Sequence, residues 1–420
     1  MKSVFKVFLS VMLAGLNAGT VAAWPVAVSP DGTLPGLVRQ LRADAPAMAA
    51  PGKAPVAEWT VMVYVNAKND LEYFGLADLN EMEAAGSTDR VNVVAELGRL
   101  AVYDEGDGGW SGVRRYLVKK DDAPKAITSP VLESLEADMG DWRHLAEFGK
   151  WAKKNFPAKH YMLVVWNHGS GWDKSFGPGN AFKGISYDYG TGSHISTPQL
   201  AAALREMGKV DVLAFDACLM QMAEVAYEVR EQAGFMVGSE ETEPGPGYPY
   251  DTFLGRLLAE PGLAPERLAT ALVDAYYAYY KDKPGLAAMQ SALKTAALPR
   301  FLELVNGWTA AVMASGDRDS VNVAVRAAQR FDTVENKDVY DFISLTQREA
   351  AKPEITAKSG ELLKFISEEL VLKHRSAGDN YPGSHGLAAF LPVRHYVPEY
   401  DELQWAKDSK WDEFIEWYPQ

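Results

Sequence analysis

Among 420 residues there is a single cysteine, Cys218. One thiol forms no intramolecular disulfide and assembles no cysteine-based zinc or iron–sulfur site. Positive charge is also scarce, since 42 Lys and Arg face 56 Asp and Glu for a formal net charge of −14. Such a chain has no general attraction for phosphate backbones or anionic bilayers, so nucleic acid is not an expected partner. Long apolar runs are missing too. The stretch from Val7 to Leu16 falls short of the roughly 20 residues that a spanning helix needs, and Asn17, Gly19 and Thr20 interrupt it. No stable membrane anchor is expected. What remains is ordinary globular composition, 47% hydrophobic and 23% charged, which excludes collagen-like, mucin-like and wholly disordered chains.

The N-terminus has the layout of an export signal. Lys2 and Lys6 precede the apolar run, and Thr20-Val21-Ala22-Ala23 puts small residues where a signal peptidase reads. Residues 1–23 therefore read as a cleaved signal, with no nearby cysteine for lipoprotein processing, and the product is expected in the periplasm or outside the cell. Removing the two lysines takes the net charge from −14 to −16. Exported proteins usually pair their thiols or do without them, so one unpaired cysteine suggests chemistry, with a buried inert cysteine as the alternative.

Residues 24–56 carry six of the 23 prolines without apolar periodicity, which reads as a flexible linker or a removable pro-segment. From Trp59 onward, short β-branched runs alternate with amphipathic segments. Thr60–Val65, Val91–Ala95, Tyr161–Trp166, Val210–Phe215 and Phe235–Gly238 read as strands buried on both faces. Helices are expected from Asn69-Asp70 to Ala85, from an Asp141 cap to Trp151, from a Thr197 cap with Pro198 in its first turn, and from near Cys218 onward. Strands alternating with helices imply an α/β sandwich around a mostly parallel sheet. Residues 57–260 read as its core. The part from 261 to 420, with a Tyr-rich helix at Ala264–Tyr280 and strand-like Ser291–Leu293 and Gly386–Leu391, completes that sheet or packs on it.

Ligands of such sheets bind beyond the carboxyl ends of the strands. One strand end delivers Asn167-His168-Gly169-Ser170-Gly171 and another delivers Asp216-Ala217-Cys218. A thiol at a helix start has its thiolate stabilised by unpaired backbone N–H groups, so Cys218 is the candidate nucleophile, with a lowered pKa expected. His168 is the candidate base. The N–H groups of Gly169 and Cys218 could receive an oxyanion. The plainer reading makes His168 a satisfied strand-end histidine and Cys218 a packed helix residue. Glu240 and Glu241, adjacent on a strand, point to opposite faces and form no carboxylate pair, while Asp104, Glu105 and Asp107 lack EF-hand spacing.

The segment Tyr161-Met162-Leu163-Val164-Val165-Trp166-Asn167-His168-Gly169-Ser170-Gly171-Trp172, with Asp216-Ala217-Cys218-Leu219-Met220 fifty positions after His168, resembles the clostripain family of cysteine peptidases in the caspase-like clan. The likeness extends to Gly184-Ile185-Ser186-Tyr187-Asp188, Gly238-Ser239-Glu240-Glu241 and the aromatic segment around Trp411, covering most of 58–420. It implies a three-layer caspase-like sandwich with a family-specific C-terminal extension, and a Cys218/His168 dyad that cuts peptide bonds. It places Asp216 on the floor of the primary specificity pocket, where a carboxylate pairs with substrate Arg or Lys, the alternative being a helix N-cap. It also implies processing of a precursor within an internal loop, best matched at Lys183. Calcium is needed by some members, though no residues here locate a site, and no other cofactor is implied. The expected partners are protein or peptide substrates, and no oligomeric state is implied. Two other readings stand beside an exported endopeptidase specific for basic residues: a non-catalytic binding protein of the same fold, and a thiol amidohydrolase acting on small amides.

Overall fold

The computed structural model describes residues 56–419 apart from 124, 173–183, 284 and 394–395. The expected signal at 1–23, the linker up to residue 55, and Lys183 lie outside the described residues. In chain order the first half runs β1 (Ala57–Ala67), α1 (Glu72–Ala85), β2 (Val91–Arg99), β3 (Gly112–Leu117), β4 (Val131–Leu135), α2 (Trp142–Asn155), β5 (Ala158–Trp166), β6 (Ile185–Asp188), β7 (Ser193–Ile195), α3 (Thr197–Met207), β8 (Val210–Asp216), α4 (Ala223–Val229) and β9 (Ala233–Gly238). Then follow α5 (Tyr250–Ala259), α6 (Pro265–Tyr280), β10 (Ala288–Lys294), α7 (Leu298–Ser315), α8 (Arg318–Ala327), β11 (Asn336–Asp338), α9 (Val339–Ala350), α10 (Pro353–Phe365), β12 (Val371–Ala377), β13 (Ala388–Phe390), α11 (Gln404–Asp408) and α12 (Trp411–Trp417).

A nine-stranded sheet in the order β12-β10-β9-β8-β5-β1-β2-β3-β4 forms the middle layer. Its centre, from β9 through β8, β5 and β1 to β2, is parallel, and both flanks turn antiparallel. Alternation along the central strands divides the core. Met62, Tyr64, Leu163, Val165, Leu213 and Phe215 face α2, α3 and α4, while Val61, Val63, Val65, Met162, Val164 and Val212 face α1, α5 and α6. Each such buried side chain contributes about 1.5–3 kcal/mol relative to exposure. Residues beyond 260 join both layers. Strands β10 and β12 extend the sheet, and Phe301 and Trp308 of α7, Phe342 of α9 and Trp411 and Phe414 of α12 enlarge the core on the α2 side.

Several boundaries differ from those expected. The first helix begins at Glu72, because Asn69 is engaged in a turn, its Oδ1 accepting from Leu71 N–H. Helix α3 is capped by Ser196, whose N–H donates to the Gln199 side chain at 3.0 Å, and not by Thr197. Gly386–Leu391 supplies β13, which pairs with β11 in a separate ribbon instead of the main sheet. The largest difference concerns the residues after β8. No helix starts at Cys218: the chain runs irregularly to Met222 and α4 opens at Ala223.

Candidate active site

Strands β5 and β8 are parallel neighbours with Trp166 opposite Asp216, so the segments that leave them emerge side by side. Asn167 binds the two ends together, its N–H donating to Asp216 O at 3.2 Å and its Oδ1 accepting from Tyr187 N–H at 2.8 Å. The next segments touch through a glycine. A Cβ on Gly169 would lie 2.4 Å from Cys218 O, so only a residue without a side chain brings the histidine turn this close to the thiol segment.

The thiol segment is pinned from one side. Leu219 N–H donates to Glu241 O at 3.1 Å, Gln221 N–H to Ser239 O at 2.9 Å, and the Gln221 amide to Ser291 Oγ at 2.8 Å. Leu219 is held at φ 61°, a conformation costing a bulky residue about 1–3 kcal/mol, and its side chain is fully buried. These contacts aim Cys218 Sγ at the backbone N–H of Glu243, which donates to it at 3.2 Å. Burial nevertheless pushes the thiol up to about 12; the Glu243 N–H works against this, and the carboxyls of Glu243, Glu241 and Asp332 add to it. The expectation of a lowered pKa is thus corrected. The helix that follows starts five residues later, at Ala223, so Cys218 does not head it, and its charged neighbours are acids.

His168 lies on a more open rim, with its side chain 29% exposed. Its Nε2 donates to Asp70 Oδ1 at 2.8 Å, since a carboxylate only accepts. Its ring stacks on Tyr189, with centroids 6.4 Å apart and planes 11° from parallel. Burial raises the Asp70 pKa, but the His168 hydrogen bond and charge, with help from Tyr189, outweigh it and hold the carboxyl below its usual value.

Between the two segments lies a cavity of about 320 Å³ lined by His168, Cys218, Asp216, Glu243, Leu71 and Gly247 among others. Asp216 does not cap a helix. Buried at the end of β8, its Oδ2 accepts from Tyr250 OH at 2.9 Å and from Tyr248 N–H at 3.3 Å. Burial raises it to about 6 against the pull of these donors and of Glu243. Gly247, at φ 56°, lets its turn approach the carboxylate, for a Cβ there would sit 2.5 Å from Oδ1. Among the described residues no backbone carbonyl accepts the N–H of Gly169 or Cys218.

Two participants were not picked out from the sequence. Asp70 read as a helix start and Glu243 carried no reading, and neither reveals its partner by spacing, because 98 residues separate Asp70 from His168 and 25 separate Glu243 from Cys218. Glu240 and Glu241 engage separate partners, Gly386 N–H and Asp332 N–H, respectively. Among the described residues no three His, Cys, Asp or Glu side chains are grouped to hold a metal ion.

A mostly parallel sheet that delivers a histidine and a thiol from adjacent central strands is the architecture of caspase-like cysteine peptidases. The sequence model of the clostripain family, the C11 peptidases, matches residues 63–418, and the chain belongs to that family. Clostripain from Hathewaya histolytica is 30% identical over 272 residues, 59% of this chain and 50% of that protein, so the chain spans about half the length of the curated relative it matches. A secreted C11 cysteine protease from Bacteroides thetaiotaomicron, solved with an irreversible peptide inhibitor, is similar with a TM-score of 0.65 at 22% identity, covering 84% of this chain and 99% of that one. An inactive zymogen C11 protease from Parabacteroides distasonis has a TM-score of 0.62 at 22% identity, with 84% and 98% covered. These two likenesses establish the fold. Among the described residues no helix is long and apolar enough to cross a membrane.

Proposed function

We propose that the protein is an exported cysteine endopeptidase that hydrolyses peptide bonds after Arg or Lys. The observation that carries this is the convergence of Cys218, His168 and the buried carboxylate of Asp216 on one cavity. A basic side chain enters the cavity and pairs with Asp216, presenting its own carbonyl carbon to Sγ. Because burial keeps the resting thiol protonated, proton transfer accompanies attack: His168 takes the Sγ proton as the C–S bond forms. The carbonyl oxygen becomes an oxyanion received by the N–H groups of Gly169 and Cys218. Asp70 orients the imidazole and stabilises its cation. Imidazolium then protonates the leaving amine as the C–N bond breaks, and water, deprotonated by His168, releases the acid from the thioester and restores the thiol.

The test is turnover of fluorogenic peptides that differ only in Arg, Lys, Asp or Leu before the scissile bond. Cleavage of the Arg and Lys peptides, abolished by Cys218→Ala and shifted away from basic residues by Asp216→Ala, is expected. Preference for Asp or Leu, or turnover of small amides without peptide cleavage, would overturn the reading.

Maturation belongs to the same proposal. Residues 1–23 direct export, and the active enzyme cuts itself after Lys183. Gly184 supports this reading because it lies beside the site, accepting from Ser170 N–H at 2.9 Å and donating to Ser170 Oγ at 2.9 Å. N-terminal sequencing is expected to find a chain starting at Gly184 in wild type and none in Cys218→Ala. A fully active, uncut chain would remove this step.

A further inference from the structure

The floor of the cavity holds two carboxyl groups in contact. Glu243 Oε1 accepts from Gln290 Nε2 at 2.5 Å, whereas the buried Oε2 receives no N–H or hydroxyl donor. Asp216 lines the same cavity, and the two carboxyl groups lie within hydrogen-bonding reach of each other. Two carboxylates have only acceptors, so a hydrogen bond between them requires a proton on one. Asp216 accepts from Tyr250 OH and Tyr248 N–H and Glu243 from the Gln290 amide and Ala217 N–H, yet burial beside Asp216 raises Glu243 well above the usual carboxylate range and Asp216 only to about 6. The proton therefore resides mainly on Glu243.

The surroundings do not neutralise the pair by other means. Asp78 faces it from α1, its Oδ2 accepting from Trp166 Nε1 at 2.6 Å, and its presence raises the cost of a second charge. Tyr248 and Tyr250 face it from the turn before α5 and from its first residue, and Tyr276 and Tyr280 from α6, all phenols. Glu81, with Asp251 behind it, stands further out, and the cation there, Lys283, acts on Glu81 at the edge of the set. Across the cavity stand the Cys218 thiol, beside Glu241 and Asp332, and His168 on Asp70.

We infer that Asp216 and Glu243 together hold one proton at the floor of the empty pocket, and that the cationic side chain of a substrate displaces it. Glu243 is thereby a second specificity-determining acid. This rests on the proposed preference for basic residues. Charge balances: a pair carrying one negative charge loses a proton to solvent, and the resulting dianion meets a guanidinium or ammonium that stays protonated. A neutral side chain cannot expel the proton, because two adjacent carboxylates would face each other without a counter-charge. Selectivity thus comes from the second ionisation as well as from the attraction.

The test is titration of the full-length Cys218→Ala protein at pH 7 with a peptide containing a single Arg, in a series of buffers with different ionisation enthalpies. The slope of observed heat against buffer enthalpy is expected to report close to one proton released per peptide bound. Glu243→Gln keeps both hydrogen bonds, accepting from Gln290 and donating to Asp216, but has no proton to lose; its release is expected to fall to near zero and its affinity by about tenfold or more. In steady state, KM for the Arg substrate is expected to fall as pH rises through the release, while kcat does not follow the same curve. Basic peptides bound and cleaved with no proton release by the Glu243-containing protein would overturn the inference and leave the peptidase reading standing. Absence of both binding and cleavage of basic peptides would overturn that reading, and the inference with it. The buffer series on the Cys218→Ala protein decides the matter even if Glu243→Gln does not fold.

Discussion

The two segments that meet at the cavity are built differently. The one after β8 is mostly buried, hydrogen-bonded to Ser239 and Glu241 and fixed through Leu219 in a strained conformation, whereas the one after β5 carries a partly exposed histidine held by a 54%-exposed aspartate and a tyrosine ring. The difference separates two requirements. The nucleophile and the pocket floor need placement to a fraction of an ångström, which only a packed core supplies. The base needs solvent on one side to exchange protons, which a rim supplies, and there one carboxylate suffices to aim it.

The sharpest way to break the comparison is to remove the reacting atoms. Cys218→Ala and His168→Ala are each expected to lower kcat by roughly 10⁴-fold or more, with native circular dichroism in both. The packing difference then shows in stability, since the melting temperature should be unchanged for the rim residue and shift for the buried one. Activity surviving in Cys218→Ala would show that the buried segment does not supply the nucleophile.

Gly169→Ala tests the contact between the segments. A methyl group 2.4 Å from Cys218 O forces them apart, at a cost of about 1–3 kcal/mol from overpacking, and a displacement near 1 Å lowers kcat roughly 10²-fold. Unchanged kinetics and unfolding midpoint would mean that the thiol segment yields easily and is not rigidly held.

Asp70→Asn probes the rim alone. Because the carboxylate is largely solvated, the expected loss is about tenfold in kcat with KM unchanged, and partial recovery in Asp70→Glu. A uniform change in KM instead would assign Asp70 to substrate binding.

The smallest expected effect concerns the stability cost of the pocket. Asp216 has a carboxyl raised from 3.8 to about 6, so between these values the folded protein holds a proton that the unfolded chain has lost. Its contribution to stability is greatest below the lower value, declines as pH rises toward 6 and stays low above. Asp216→Asn removes the penalty and is expected to melt a few degrees higher than wild type at pH 8, with the gap closing near pH 4. Equal melting temperatures at both pH values would show that Tyr248 and Tyr250 fully compensate the burial.

Much of this molecule was legible from local pattern. The runs Thr60–Val65 and Tyr161–Trp166 are apolar without alternation, which buried parallel strands require, and Asp141 is placed to cap the helix it does cap. The same regularity placed His168 and Asp216–Cys218 at or just beyond strand ends. The antiparallel edge formed by β3 and β4 was not legible, because Gly112–Leu117 buries Arg115 within a strand whose sequence is not an apolar run, and Val131–Leu135 is largely exposed. Nor was the break before α4. Ala217–Met222 has helical composition, but the main chain of Ser239 and Glu241 offers its N–H groups better partners, and pairing with a segment so far along the chain leaves no periodic trace.

By itself, then, the sequence determined the alternation of strands and helices, the strand ends that carry chemistry, and the identity of the one thiol, since hydrophobic period and residue type are local properties. Tertiary structure alone decided that this thiol is half-buried near carboxyls instead of heading a helix, that Asp70 orients His168, and that Glu243 shares the pocket with Asp216. Protonation and orientation depend on the field and the donors within a few ångströms, and those neighbours come from distant segments that only the folded sheet brings together.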